Sequence, residues 1–528
     1  MNPHMIFFSS TPTSTTYPNN SALLAQINPG TIRFPHGTRA NHYAWDNVQG
    51  SYCDIPVYTP PGQTPPAPPN DCQVSRNQWV YPDQVYKNFA GTSLPSNKRR
   101  QLLLQVNAAE WVCPQLGTGQ PCEINEDGLT MAANRAAAWV DYDRQSAQSV
   151  SAPHLPTLYW EIGNEDWIFW SPEQYAHVFA KIATAMYSKA GDTGIRILAQ
   201  SQPRAVQQNY PIPRGSRTDN TNWISRFATA LRDTEHFDLT KVYGLSEHLY
   251  LGSPSIDILV NTNALLRRVA NLDQAGQLDG LKEAVENPYG WKVWVTESQV
   301  HQDDSVKSAI GMQNRANGLV LTDFVGKMIS MGVERVFMHQ LAHDPEWALF
   351  QFLNSPATLP DGPVMMPGGL VMSKYANDFA SPSTGSNLRT ISESYSYGSG
   401  NTNLGYSPVG AYVSHDPISR TLKLMLVNRD LVNSTTVTIN TTNNAIVAPT
   451  YYNFFYYATL NETNLSGASL STSNITSPGA ISWVAKSSAL VARSCPLTFS
   501  ACTVRSTLTN AVTLTPGGVS FVTLTLDQ

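Results

Sequence analysis

The chain has 528 residues, more than one compact core needs and enough for a barrel of typical size plus a second domain. Its 34 Lys and Arg against 39 Asp and Glu give a formal charge of −5, only 14% of residues are charged, and the basic ones are scattered, which excludes nucleic acid and anionic membrane surfaces as expected partners. No apolar run approaches the roughly eighteen residues that span a bilayer, so no membrane insertion is expected.

In chain order, short apolar, β-branched runs alternate with helix-period segments up to about residue 380. Strands are expected at 5–8, 31–34, 102–106, 158–162, 195–199, 242–247, 292–296 and 335–338, and helices at 21–27, 132–145, 172–189, 222–233, 256–270, 314–331 and 370–379. This alternation predicts an α/β fold with a parallel sheet, a (β/α)8 TIM barrel over residues 1–380. No GxGxxG or Walker motif occurs, which argues against an open dinucleotide-binding sheet, and no cofactor is expected. The largest insertion, 47–78, contains TPPGQTPPAPPND, too rich in proline for a helix or a sheet interior, and reads as a surface loop. Beyond 380, Ser, Thr, Asn and Val dominate, with alternating runs at 422–427, 435–439 and 519–526. That pattern predicts an all-β sandwich over 381–528, read as a structural domain docked on the barrel, with a carbohydrate-binding module as the alternative.

The six cysteines fall into three pairs of near neighbours: Cys53 with Cys72, Cys113 with Cys122, and Cys495 with Cys502. Six cysteines allow fifteen connectivities, but no spacing is the CxxC of zinc or redox sites, so near-neighbour disulfides are expected, with free buried thiols as the alternative. Sequons at Asn19, Asn433, Asn440, Asn461, Asn464 and Asn474 agree with an extracellular, secreted protein. The first ten residues lack a basic stretch followed by a long apolar one, so no signal peptide is read in this chain.

Candidate chemistry sits at strand ends. The fourth expected strand runs through Thr157-Leu-Tyr-Trp-Glu161-Ile-Gly-Asn164-Glu165-Asp-Trp167 and delivers an Asn-Glu pair at its carboxyl end, where barrel active sites are built. The seventh, Trp291-Lys-Val-Trp-Val-Thr296-Glu297-Ser298, delivers a second carboxylate. A helix-capping or salt-bridging role is the plain alternative for each glutamate. In a closed barrel, however, strands four and seven face each other across the mouth, which places Glu165 and Glu297 as displacement at an anomeric carbon requires: one carboxyl protonates the leaving oxygen while the other attacks from the opposite face. Trp45, Trp160 and Trp167 are candidate sugar-stacking rings, against the alternative that they fill the core. Asn107, with Glu110 and Trp111, either lines the cleft or caps the next element. His339 and His343 have i, i+4 spacing without an HExxH context, and no metal site is read.

WEIGNE and WVTES resemble the strand-four and strand-seven motifs of the clan A glycoside hydrolases, and the stretch from Thr31 through Arg33, Pro-His-Gly and Tyr43 to Trp45-Asp46 is similar to the arginine-bearing second strand of that clan's arabinofuranosidase-like and heparanase-like branches. Those branches usually read Pro-Gly-Gly; here His36 stands at the second position. The resemblance implies that Glu165 is the acid/base, Glu297 the nucleophile, Asn164 a partner of the sugar 2-hydroxyl, and Arg33 the group that keeps Glu297 ionised. It also implies substrate contacts near the nucleophile for His248 and Tyr250 on strand six, with a core-satisfied histidine as the alternative for His248; on strand eight, His339 and Gln340 are candidate substrate contacts where the clan often supplies a stacking tryptophan that this chain lacks. The expected activity is retaining hydrolysis of an O-glycoside in a plant, algal or microbial oligo- or polysaccharide, arabinofuranoside-like in substrate class, with the carbohydrate as partner. A transglycosylase on the same residues and a non-catalytic carbohydrate-binding barrel are the alternatives; the latter tends to lose the four residues Arg33, Asn164, Glu165 and Glu297 that are all present here.

Overall fold

The computed structural model describes residues 27–35, 37–46, 81–92, 99–113, 122–149, 153–192, 194–201, 222–252, 258–272, 279–301, 315–339, 349–351, 364–365, 367–380, 389–390, 406–438, 446–454, 511–514 and 516–526. The expected strand at 5–8, the helix at 21–27 up to its last residue, the insertion at 47–78, the cysteine pairs 53/72 and 495/502, His36, Gln340, His343 and every sequon except Asn433 lie outside the described residues.

Among the described residues, one sheet holds seven parallel strands in sequence order: β1 (Thr31–Phe34), β2 (Gln101–Val106), β3 (Tyr159–Ile162), β4 (Arg196–Gln200), β5 (Val242–Gly252), β6 (Lys292–His301) and β7 (Arg335–Met338). Connections between them run through α1 (Pro82–Val85), α2 (Glu126–Ala147), α3 (Pro172–Ala190), α4 (Trp223–Asp233), α5 (Ile258–Ala270), α6 (Asp279–Val285) and α7 (Arg315–Ser330). The sheet curls until its ends meet: the Arg335 guanidinium on β7 donates to the Thr31 hydroxyl on β1 and lies 4.5 Å from the Trp294 ring centroid and 4.8 Å from that of Tyr159. The result is a nearly closed parallel barrel wrapped by helices, a (β/α)8-type fold.

Alternation along the strands sorts the side chains into layers. Leu103, Tyr159, Leu198, Trp294 and Phe337 point inward and form a separate apolar plug. Two residues further along their strands, Gln105, Glu161, Gln200 and Thr296 form a polar layer above it, joined by Arg33 and Ser246. The residues between, such as Leu104, Trp160 and Ala199, face outward into the main core shared with the helices. α3 begins soon after the β3 end because Ser171 caps it reciprocally: Gln174 N–H donates to Ser171 Oγ at 3.3 Å, Ser171 N–H donates to Gln174 Oε1 at 3.1 Å, and Pro172 occupies the first turn.

After β7 come two short strands, β8 (Phe350–Gln351) and β9 (Val364–Met365), and α8 (Pro367–Lys374), continued by a wider turn to Phe379. The chain then forms an antiparallel sheet from β10 (Arg389–Thr390), β11 (Val409–Asp416), β12 (Thr421–Asn428), β14 (Ile446–Phe454) and β16 (Val519–Leu526), ordered β10-β11-β12-β16-β14. A second sheet pairs β13 (Thr435–Thr438) with β15 (Ala511–Leu514). Leu424 and Leu426 of β12 cluster with Val522 and Leu514 between the two sheets, while Met425, Val427 and Phe521 belong to the core of the barrel unit. This two-residue period makes a sandwich whose inner sheet is also the lid of the barrel's helix layer. At that seam Asp323 of α7 pairs with Arg429 at 2.8 Å and accepts from the Tyr412 hydroxyl at 2.6 Å, all three buried.

Candidate active site

Arg33 is a charged residue in the middle of a buried strand, so it has to find carboxylates. Its Nε donates to Glu161 Oε2 at 2.5 Å and Nη2 to Glu161 Oε1 at 3.1 Å; Nη1 donates to Glu297 Oε1 at 2.6 Å, and Nη2 also reaches Asn164 Oδ1 at 3.0 Å. The chain turns just after β1, which lets the Gly37 N–H donate to Glu297 Oε1 at 3.0 Å. The Tyr250 hydroxyl donates to the other oxygen of Glu297 at 2.7 Å. Burial alone pushes the Glu297 carboxyl up, but the charges of His248, His339 and Arg33 and the Tyr250 hydrogen bond outweigh it and hold Glu297 well below the usual range.

Register explains how these groups converge. β5 and β6 run in step to Glu247 opposite Val295, then His248 pairs with Glu297, so Thr296 is an extra residue on β6. That bulge lets two successive side chains reach the barrel interior: Thr296 Oγ1 touches Glu161 at 3.3 Å, and Glu297 stands at the mouth.

Glu165 comes off the end of β3 in a left-handed backbone conformation, φ 53° and ψ 35°, with its N–H donating to Gln200 Oε1 at 3.1 Å. Its carboxyl meets His248 Nδ1 at 3.0 Å, and the same nitrogen is 3.5 Å from Glu297 Oε2. One oxygen of Glu165, one of Glu297 and a His248 nitrogen lie within 4.8 Å of one another. The Glu165 side chain is 27% exposed and that of Glu297 5%, so one carboxyl can exchange protons with solvent while the other is held dry. Burial lowers the His248 pKa, yet Glu297 and Glu165 together raise it overall. The three atoms are close enough to ligate a divalent ion, but Arg33 already supplies positive charge there, bonded to Glu297 and 3.4 Å from the other His248 nitrogen.

Of the residues singled out from sequence, the structure brings Arg33, Asn164, Glu165, His248, Tyr250 and Glu297 together, with His339 Nδ1 at 3.8 Å from Glu297. Others are placed elsewhere. Trp160 is corrected from sugar contact to core: it points out of the barrel, fully buried, its Nε1 donating to Thr157 O and its ring edge-on to Trp139. Trp45 lies against α2, over Trp139 and Tyr142, with its Nε1 on Arg135 O, and Trp167 is 6% exposed within the main core. Asn107 caps the turn after β2, its Oδ1 accepting from the N–H groups of Ala109 and Glu110 at 3.2 and 3.1 Å. Cys113 and Cys122 form a disulfide.

Glu161, Gln105 and Gln200 were missed. Gln105 Nε2 donates to Gly163 O and Asn164 Oδ1 at 2.8 and 3.0 Å, and Gln200 Nε2 to Glu161 Oε1 at 2.6 Å. They sit at inward positions at or next to the carboxyl ends of β2, β3 and β4, where β7 carries the apolar Phe337 instead, so polarity near those three strand ends is the only local mark they leave.

No family model matches the sequence, and no curated protein does. Solved structures do match in fold. A family 51 α-L-arabinofuranosidase from Bifidobacterium longum is 15% identical, with 99% of this chain and 94% of that one covered and a TM-score of 0.59. A GH51 arabinofuranosidase from Xanthomonas axonopodis pv. citri is 15% identical over 96% of this chain and 89% of that one, TM-score 0.56. An α-L-arabinofuranosidase from Thermotoga maritima, in complex with arabinose, is 14% identical over 95% and 89%, TM-score 0.53. At these identities the likeness speaks for the fold.

Proposed function

We propose that the protein is a retaining glycoside hydrolase in which Glu297 is the nucleophile and Glu165 the general acid/base. The observation that carries this is the spacing of the two carboxyls, whose nearest ligating oxygens lie within 4.8 Å. Retaining enzymes hold the pair about 5 to 5.5 Å apart, whereas inverting enzymes leave roughly 6.5 to 9.5 Å for a water molecule. Glu297, ionised and hydrogen-bonded, attacks the anomeric carbon as the bond to the leaving oxygen breaks and Glu165 gives that oxygen its proton. Glu165 then takes a proton from the water that attacks the same carbon and releases Glu297. Asn164 has its oxygen occupied by Arg33 and Gln105, which leaves its amide nitrogen to donate to a sugar hydroxyl. The substrate class favoured is an α-L-arabinofuranoside of a plant, algal or microbial glycan, since the solved structures of similar fold are named as arabinofuranosidases. The disulfide Cys113–Cys122 supports a secreted protein, and a division into a barrel at 1–380 and a sandwich at 381–528 fits the change from parallel to antiparallel strands.

The test is a panel of nitrophenyl glycosides followed by azide rescue. Glu297→Ala should lose on the order of 10^4-fold in rate or more, and azide should restore turnover as a glycosyl azide of inverted configuration. Glu165→Ala should keep glycosylation by an activated leaving group and yield an azide of retained configuration. NMR showing inversion in the first-formed sugar from wild type would overturn the mechanism.

A further inference from the structure

Glu161 has no role in the displacement itself, yet it is the most heavily hydrogen-bonded carboxylate of the site. We propose that Glu161 is a positioning residue: it grips one edge of the Arg33 guanidinium so that the other edge meets Glu297, and by sharing that cation it keeps the nucleophile basic enough to attack. This rests on the hydrolase reading above.

A guanidinium is a rigid plane with five donors, so fixing one edge aims the opposite one. Glu161 takes the Nε and Nη2 edge at 2.5 and 3.1 Å, and Nη1 is thereby directed to Glu297 at 2.6 Å. Glu161 is itself fully buried and cannot swing, because Gln200 Nε2 at 2.6 Å, Thr296 Oγ1 at 3.3 Å and the Ser246 hydroxyl all donate to it. Its donors come from β1, β4, β5 and β6. A buried arginine needs one counter-ion for neutrality, and Glu297 alone would provide it; giving the two-pronged edge to Glu161 leaves Glu297 a single bond from Arg33. The charged and titratable groups facing Glu297 are Arg33 of β1, Glu165 at the end of β3, His248 and Tyr250 of β5, and His339 after β7. The titratable groups that share a charge interaction with Glu161 include Arg33 of β1, Asp166 after β3 and Tyr175 of α3.

Removing the charge of Glu161 without changing its shape places the whole Arg33 charge on Glu297. In Glu161→Gln the acid limb of the kcat/KM profile, which reports ionisation of the nucleophile in the free enzyme, should therefore move down by about one pH unit, and the plateau should fall roughly ten- to a hundredfold. Ser246→Ala should act in the opposite sense: it takes one donor from Glu161, leaves more of that carboxylate's charge on Arg33 and less of Arg33's on Glu297, and moves the limb up by a few tenths. Glu161→Asp, which restores the charge, should return the limb toward wild type. A residue that merely stabilises the barrel would lower melting temperature or active fraction and move no limb.

The experiment is the pH profile of these three variants on the nitrophenyl glycoside that wild type turns over, with thermal melting alongside. Opposite displacements in Glu161→Gln and Ser246→Ala support the proposal, and unmoved limbs or displacements of the same sign overturn it. If Glu161→Gln does not fold, the upward shift in Ser246→Ala decides, and its absence overturns the proposal. Wild type inactive on every glycoside removes the hydrolase reading and this inference with it, whereas active wild type with limbs that stay put removes this inference alone.

Discussion

Glu165 occupies a left-handed backbone position that a residue with a Cβ adopts at a cost of roughly 1 to 3 kcal/mol, and such strain persists where the surroundings over-determine it. Two neighbours do so here. Gly163 stands at φ +82°, where a Cβ would collide with the Asp166 carboxyl, and Asp166 Oδ1 accepts from the Asn164 N–H at 3.2 Å. Gly163→Ala should therefore lose several kcal/mol of stability, on the order of 2 to 4, and most of the activity, read by urea melts and by turnover. Asp166 also has an unusual proton. Burial first, then the charges of Glu161 and Glu165, raise it from the ordinary 3.8 to about 8, against a hydrogen bond from Asn164 that lowers it. The outward-facing Glu247 on β5 is likewise raised to about 8, chiefly by burial. Between about pH 4 and 8 the unfolded chain has lost these protons and the folded one keeps them, so stability falls as pH rises, by up to about 1.4 kcal/mol per pH unit for each group. Glu297 has the opposite sign: its contribution is present above its ordinary value of 4.5 and disappears as pH falls through its depressed folded value. Asp166→Asn should flatten the decline between pH 5 and 8, and an unchanged slope in denaturant melts would show that this carboxyl is ionised in the native protein.

At the scale of elements, β1 and β7 lie where the apolar runs place them, and the expected helix at 172–189 matches α3 to one residue, because Ser171-Pro172 and the Gly191 stop are local signals. β5 and β6 run five residues beyond the expected ends at 247 and 296. Those extensions carry His248, Tyr250 and Glu297, polar residues that ended the strand pattern by composition although the backbone continues, held by a bulge that pairing partners and not sequence determine. The meeting of Glu165 and Glu297 was legible since each follows an apolar run; the place of Glu161 was not, since nothing local says that an Arg 128 positions away will meet it. Trp160 was misread because alternation from the inward Glu161 puts it outside the barrel, and only the strand's phase reveals that. One further element can be tested. The Cys113–Cys122 bridge closes the segment between β2 and α2 across 9 residues, and Cys113→Ser with Cys122→Ser should cost about 2 to 3 kcal/mol by loop-closure entropy, seen as a lower melting temperature without a change in the pH profile.

At the scale of the whole molecule, the antiparallel sheet and the barrel share one core. Gly326 of α7 has the Tyr412 ring where a Cβ would be, and Gly410 of β11 has the Asp323 carboxylate, so helix and sheet approach as closely as backbone allows. Into that contact the chain places a buried ion pair, with the Arg429 Nε and Nη2 on the two oxygens of Asp323 at 2.8 and 3.0 Å and the Tyr412 hydroxyl on the same carboxylate. Such a pair is weak support for stability against an apolar replacement of both partners, but removing one partner strands the other's charge in the interior. Arg429→Met should therefore cost about 3 to 5 kcal/mol, with Asp323 left facing only the Tyr412 hydroxyl. Asp323→Leu combined with Arg429→Met should recover most of that loss. Because Met425, Val427 and Phe521 of the sheet sit in the same apolar core as α7, the loss should appear as an earlier, still single transition in which barrel tryptophan fluorescence and sheet circular dichroism change together. Two separated transitions in the single variant would mean that the sheet is an independent module held by the ion pair, and a double variant no more stable than the single one would mean that the pair, and not the apolar seam, fastens the two halves.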